Sequence, residues 1–236
     1  MGSREYVYIL PKEKERTPEE LSKELTDEEF AAKSKTCRDA VHSFIDYLWS
    51  TCPNEVEWKR ENDDRETLTI ISRLAVLLSI LRGSIEYQQI TEVDEEGKTT
   101  EGAYTTPVIE EPHRANQVLY NFARGHALIN GRKGVTKDDL PLVIKIALNS
   151  ANTDRVRIFE FLLENNGEVS SKDIQDELNY SRTTALTTME SLKILGSTDT
   201  MKGNPGSDGG KPMYHTKLKG KFKWFVSQEF KALWRR

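Results

Sequence analysis

Five hydroxyls and one guanidinium fall within eight positions of this chain, at Ser181, Arg182, Thr183, Thr184, Thr187 and Thr188, and no carboxylate follows until Glu190. Short hydroxyl side chains and an arginine in an acid-free stretch suit hydrogen bonding to phosphate oxygens and base edges, a chemistry that needs neither a nucleophile nor a metal. A second cluster follows. Lys202, Lys211, His215 and Lys217 flank the glycine-rich run from Gly203 to Gly210 and could lie along a phosphate backbone. These groups act together only if rigid elements hold them on one surface. Ala185, Met189 and Leu192 recur at i, i+4 and i+7, which predicts a helix capped by Ser181 whose polar face carries the hydroxyls.

The neighbouring elements fall in a defined order. An amphipathic helix carries Val156, Phe159, Leu162 and Leu163 and is stopped by Asn165, Asn166 and Gly167; a short second helix opens at Ser170, and Asn179 with Tyr180 makes a tight turn into the third. Beyond Gly196, Ser197 to Lys202 and Lys211 to Leu218 read as two strands around a glycine-rich tip, where positive φ values are needed. Helix, helix, helix and hairpin in that order predict a winged helix-turn-helix within a domain spanning residues 151–236, with contact to duplex DNA. The same fold also serves as a plain protein-docking module.

Charge supports a nucleic-acid-facing end. The chain of 236 residues carries a net charge of −4, but residues 201–236 hold nine basic side chains against Asp208 and Glu229, leaving a strongly acidic body before them. Phe222, Trp224, Phe225, Phe230 and Trp234 in that basic end predict a last amphipathic helix packed on the wing. A hydrophobic fraction of 36% and the lack of a long apolar run or a secretory signal predict a soluble, cytoplasmic chain. Cys37 and Cys52, at opposite ends of one predicted helix, are too far apart to bridge easily and fit a reducing setting.

The chain before residue 151 reads as mainly helical. Tyr6 to Leu10 alternates like a strand ended by Pro11, and Thr17-Pro18-Glu19-Glu20 reads as a helix start in a charged surface segment. A helix from about Ser34 to Ser50 presents Cys37, Val41, Phe44 and Leu48; residues 1–62 thus form an N-terminal strand and helical linker segment. A more apolar helix from about Asp63 to Leu81 carries Ile70, Ile71, Leu74, Leu77, Leu78 and Leu81. Residues 84–110 break the helical pattern and predict a β-hairpin insertion. Gly97-Lys98-Thr99 within it is a turn and not a phosphate loop, because the motif needs a glycine where Glu92 stands and a helix where Thr100, Glu101 and Gly102 follow. Pro112 then opens a helix bearing Ala115, Val118, Leu119, Phe122 and Leu128. Thr136 with Asp139 caps the next, through Leu142, Val143, Ile146 and Ala147, and Asn149 to Thr153 forms a hinge.

The run from Pro112 to Ala127, with Gly131-Arg132 and Val135 to Leu140 after it, resembles the α-helical lid of AAA+ ATPases, nearest to the branch that holds the MCM replicative helicases. In that family the lid helix begins with a sensor-2 arginine that reaches the nucleotide γ-phosphate, and a "GR..V...DL" segment opens the final lid helix. Winged helices follow directly in MCM proteins and origin-recognition ATPases. The resemblance covers roughly residues 63–236; it implies a lid-like domain over 63–150, with Arg114 as the nucleotide sensor, and an AAA+ core as partner in cis or trans. No Walker A loop and no Walker B strand stand in the sequence, so this chain alone is expected not to hydrolyse ATP and to hold no cofactor, ATP and magnesium belonging to a full-length or partner ATPase.

Other chemistry is sparse. His42, His113, His126 and His215 are scattered, with no Cys or acidic partner at metal-ligand spacing, and no nucleophile with a base can be assembled. Three functions remain: the DNA-binding C-terminal region of an MCM-like replication or mobile-element ATPase; a winged-helix transcriptional regulator with an N-terminal dimerisation domain; and a protein-docking module.

Overall fold

The computed structural model describes residues 5–9, 17–52, 54–88, 103–203 and 212–235. The chain divides into two compact units, one of residues 10–61 and one of residues 62–236 together with 1–9.

The first unit holds α1 (Pro18–Thr26) and α2 (Glu28–Thr51). Thr17 and Glu20 cap α1 reciprocally through side chain and backbone, and Asp27 caps α2 by accepting from the Glu29 N–H at 2.9 Å. Helix α2 starts earlier than the sequence pattern predicts and has no buried residue; Val41, Ile45, Tyr47 and Trp49 are all exposed.

The second unit begins with a three-helix layer: α3 (Arg65–Arg82), α4 (Pro112–Ile129) and α5 (Leu140–Asn149). Asp64 caps α3, and Ile70, Ile71, Leu74, Leu77, Leu78 and Leu81 are at most 1% exposed, as their spacing predicts. Each such side chain contributes roughly 1.5–3 kcal/mol on burial. The buried stripe of α4 differs from expectation: Ala115, Leu119, Ala123 and Ala127 face inward, while Phe122 stays 37% exposed. Three alanines among four positions spaced by four let α4 lie close along α3. Between α3 and α4, β1 (Tyr87–Gln88) and β2 (Ala103–Tyr104) pair antiparallel, with a further bridge between Ser84 and Val108; Gly97 to Thr99 lies outside the described residues.

A smaller α/β module follows: α6 (Thr153–Glu164), β3 (Glu168–Ser170), α7 (Ser171–Leu178), α8 (Arg182–Ile194), β4 (Thr198–Lys202) and β5 (Tyr214–Leu218). Gly167, at φ 89°, turns the chain from α6 into β3. The three strands form an antiparallel sheet in the order β3-β5-β4, with Glu168 opposite Lys217 and Lys202 opposite Tyr214. The described part is thus mainly helical, with this small three-stranded antiparallel sheet and the two-stranded β1–β2 pair.

Two expectations are corrected. Residues 5–9 are extended, but among the described residues they pair with no strand: Val7 N–H donates to Ser150 Oγ at 2.7 Å, and Arg82 stacks over the Tyr6 ring at 4.5 Å while donating to the Glu5 and Ser150 carbonyls. A side-chain anchor has replaced a ladder. The chain end is no single helix on the hairpin either. It forms a 3-10 segment, Gly220–Val226, and a short α9 (Gln228–Trp234) that packs against α5. Phe222, Phe225 and Phe230 are buried, and Phe225 meets Phe159 of α6 edge-on at 5.7 Å and Phe230 at 4.9 Å.

Candidate functional site

The hydroxyl-rich segment is the start of α8. Asn179, left-handed at φ 54°, ends α7, and Ser181 Oγ accepts the Thr184 N–H at 3.1 Å, leaving the positive end of the helix dipole with no acid in its first turn. Tyr180 is held from α6, its hydroxyl donating to Asp154 at 2.8 Å and its ring lying under Arg157 at 5.0 Å. These contacts orient the turn before α8.

The six expected residues do not share one face. Ser181, Thr183 and Thr187 are exposed and Thr184 is half-buried. Thr188 is corrected: at 7% exposure it lies in the buried stripe with Ala185, Met189 and Leu192, completing an i, i+3, i+4, i+7 pattern already present in the spacing. Arg182 is half-buried and donates through Nη2 to the Pro212 carbonyl at 2.9 Å, so its guanidinium ties α8 to the hairpin.

On the hairpin, Lys202 is exposed at the end of β4, and Gly203 closes it by donating to the Met213 carbonyl at 2.7 Å. His215 is half-buried on β5 opposite Met201 and Ser170. Lys217 is already engaged: its Nζ lies 2.7 Å from Glu168 Oε2 across the sheet, and that ion pair holds the Glu168 carboxyl below its ordinary pKa. Lys211 and the hairpin tip lie outside the described residues. Between α8 and the strands, Leu186, Thr187, Glu190, Thr200 and Tyr214 border a groove of about 270 Å³.

Arg114 stands exposed in the first turn of α4, where the helix dipole disfavours a cation, and among the described residues no carboxylate pairs with it. The neighbouring "GR..V...DL" residues build a buried latch around the Thr136–Asp139 cap, whose Arg132 and His126 partners sequence reasoning did not single out. Arg132 grips Asp139 with both nitrogens, at 2.8 and 2.6 Å; the Thr136 N–H donates to the same carboxylate at 2.8 Å; His126 Nδ1 lies 2.7 Å from it. Asp139 is 0% exposed. Burial raises its pKa, but the Arg132 fork, the Thr136 N–H and His126 outweigh that and hold the carboxyl below the usual range. Asp63, just before α3, does similar work on the same loop, accepting from Tyr120 OH at 2.5 Å and from the Val135 N–H at 2.9 Å. This arrangement shapes the α4–α5 loop.

The motif that the latch occupies is a known one. Residues 110–157, which hold α4, α5 and the start of α6, match the family model described as an AAA lid domain. No curated protein and no solved structure matches the chain. Among the described residues, no three His, Cys, Asp or Glu side chains gather as a metal site, and no helix is long and apolar enough to cross a membrane.

Proposed function

We propose that this chain is the lid and DNA-contacting region of an AAA+ ATPase of MCM-like type, with α6 to β5 acting as a winged helix on duplex DNA. The observation that carries the reading is the start of α8: an acid-free, Ser181-capped helix end presenting Thr183 and Thr187, beside a hairpin that ends in the exposed Lys202. A helix N-terminus of that make-up suits phosphate oxygens and major-groove edges. Arg114, uncompensated in the first turn of the lid helix, suits a γ-phosphate carried by an AAA+ core in cis or trans. ATP hydrolysis then belongs to that core and not to this chain alone.

Fluorescence anisotropy with a labelled random duplex over a salt series tests the DNA reading. Affinity that falls steeply with salt, and that drops on Thr183→Ala with Lys202→Ala, is expected. Flat anisotropy at low salt overturns it.

One observation favours a second reading, a transcriptional regulator. Helix α2 is 24 residues long with no buried residue, and exposes Val41, Ile45 and Trp49 as a dimerisation helix would. A regulator dimerises through α2 and protects a palindrome, whereas a motor region binds with little sequence preference.

A further inference from the structure

We propose that the groove between α3 and the 220–226 segment docks a segment of a partner protein that presents one apolar side chain between acidic residues. The groove measures about 260 Å³, with Thr69, Ser72 and Val76 on one wall and Phe222 and Phe225 on the other. Its lining is mostly carbon: Thr69 Oγ1 donates to the Arg65 carbonyl at 3.0 Å, and Ser72 Oγ is engaged within the protein, 3.0 Å from the Leu68 carbonyl and 3.2 Å from Asn116 Oδ1. Val76, on an otherwise well-buried helix, is left 39% exposed there.

Two cations border the opening. The Arg73 guanidinium lies 4.5 Å from the Trp224 ring centroid and Lys221 Nζ 5.0 Å from that of Phe222, so the rings hold both charges at the rim. Among the described residues no carboxylate pairs with either, so both charges are available at the rim. An acidic occupant supplies the missing charge, and steering by such rim charges favours association.

Size and shape select the class of occupant. The volume lies below the roughly 300–1,000 Å³ of small-molecule sites, which fits a single anchor side chain and not a cofactor. A nucleobase needs an exposed ring face to stack on. Phe222 and Phe225 are each 2% exposed and offer none. An aliphatic or aromatic anchor flanked by Asp or Glu meets both the carbon lining and the cationic rim.

The surface is separate from α8 and the inference does not rest on DNA binding. Selection of phage-displayed random twelve-residue peptides on the full chain, followed by anisotropy of an enriched peptide, tests it. Enrichment of acid-flanked apolar motifs is expected, with binding about tenfold weaker to Val76→Asp, weaker also to Lys221→Glu, and salt-sensitive. Both positions are exposed, so melting temperatures near the parent's confirm that the variants fold. No enrichment, or peptides that bind Val76→Asp equally well, overturns the proposal. It is equally overturned if labelled oligo-dT binds the parent chain and loses affinity in Val76→Asp, because the groove then takes nucleic acid.

Discussion

Gly83, at the end of α3, lies directly against Leu195 at the end of α8: a β-carbon built on Gly83 would stand 2.3 Å from Leu195 Cδ2. Arg155 of α6 fastens the same corner, donating to the Leu81 and Gly83 carbonyls at 3.0 and 2.6 Å and to Ser191 Oγ at 3.2 Å. Burial lowers the pKa of this arginine, and the carbonyls ending α3 face it with the negative end of the helix dipole. Across the interface, Lys137 pairs with Glu66 at 2.8 Å and with Glu229 of α9 at 3.3 Å. The expected hinge at residues 149–153 is therefore bridged on both sides, by Arg155 at one and by Lys137 with Glu229 at the other.

Replacing Gly83 with Ala overpacks this corner and is expected to cost about 1–3 kcal/mol. In a Leu195→Ala background the added methyl has room, so its cost shrinks. Urea denaturation of the four proteins of the double-mutant cycle measures the coupling; additive effects would mean that the two residues do not touch in solution.

Phe225 joins α6, the 3-10 segment and α9, so Phe225→Ala is expected to cost about 3–5 kcal/mol. The parent should lose the helical layer and the α6–β5 module in one cooperative transition. Calorimetry of the parent showing two separated transitions would contradict the shared core.

Removing Arg132 leaves a buried carboxylate with only part of its support, and Arg132→Leu is expected to destabilise the fold by about 3 kcal/mol. The Asp139 pKa is depressed in the folded state, so its contribution is complete above the ordinary carboxylate pKa of about 3.9 and drains away as pH falls below it. Between pH 5 and pH 2 the parent should therefore lose more stability than Arg132→Leu, measured by denaturant midpoints. Equal losses would contradict the latch.

Lys202 and Lys217 of the hairpin should differ on DNA. Lys202→Ala is expected to reduce the salt slope of duplex binding by about one, the loss of one phosphate contact. Lys217→Ala should change it little, because Glu168 already neutralises that charge; Glu168→Gln frees it and should strengthen binding. Salt-series anisotropy on the three variants distinguishes them, and equal effects of both lysine variants would place Lys217 at the DNA.

What the sequence by itself determined about this chain is local. The apolar spacing of α3, the Ser181 and Thr136 caps and the turn at Asn179 depend on residues within a turn or two of one another, and local hydrogen bonding and helical period decide them. The stretch that matches the AAA lid model was legible for the same reason, since its motif is contiguous. Tertiary structure alone decided which polar groups are spent inside the fold. Arg182 is held by a carbonyl 30 positions away, Lys217 by a carboxylate 49 away, and the aromatic end packs onto α5 and α6 instead of the hairpin. Composition shows that a charge or an aromatic face exists. Its partner is set by which surfaces meet when the helices pack, a contact between residues far apart in the chain that no local period encodes.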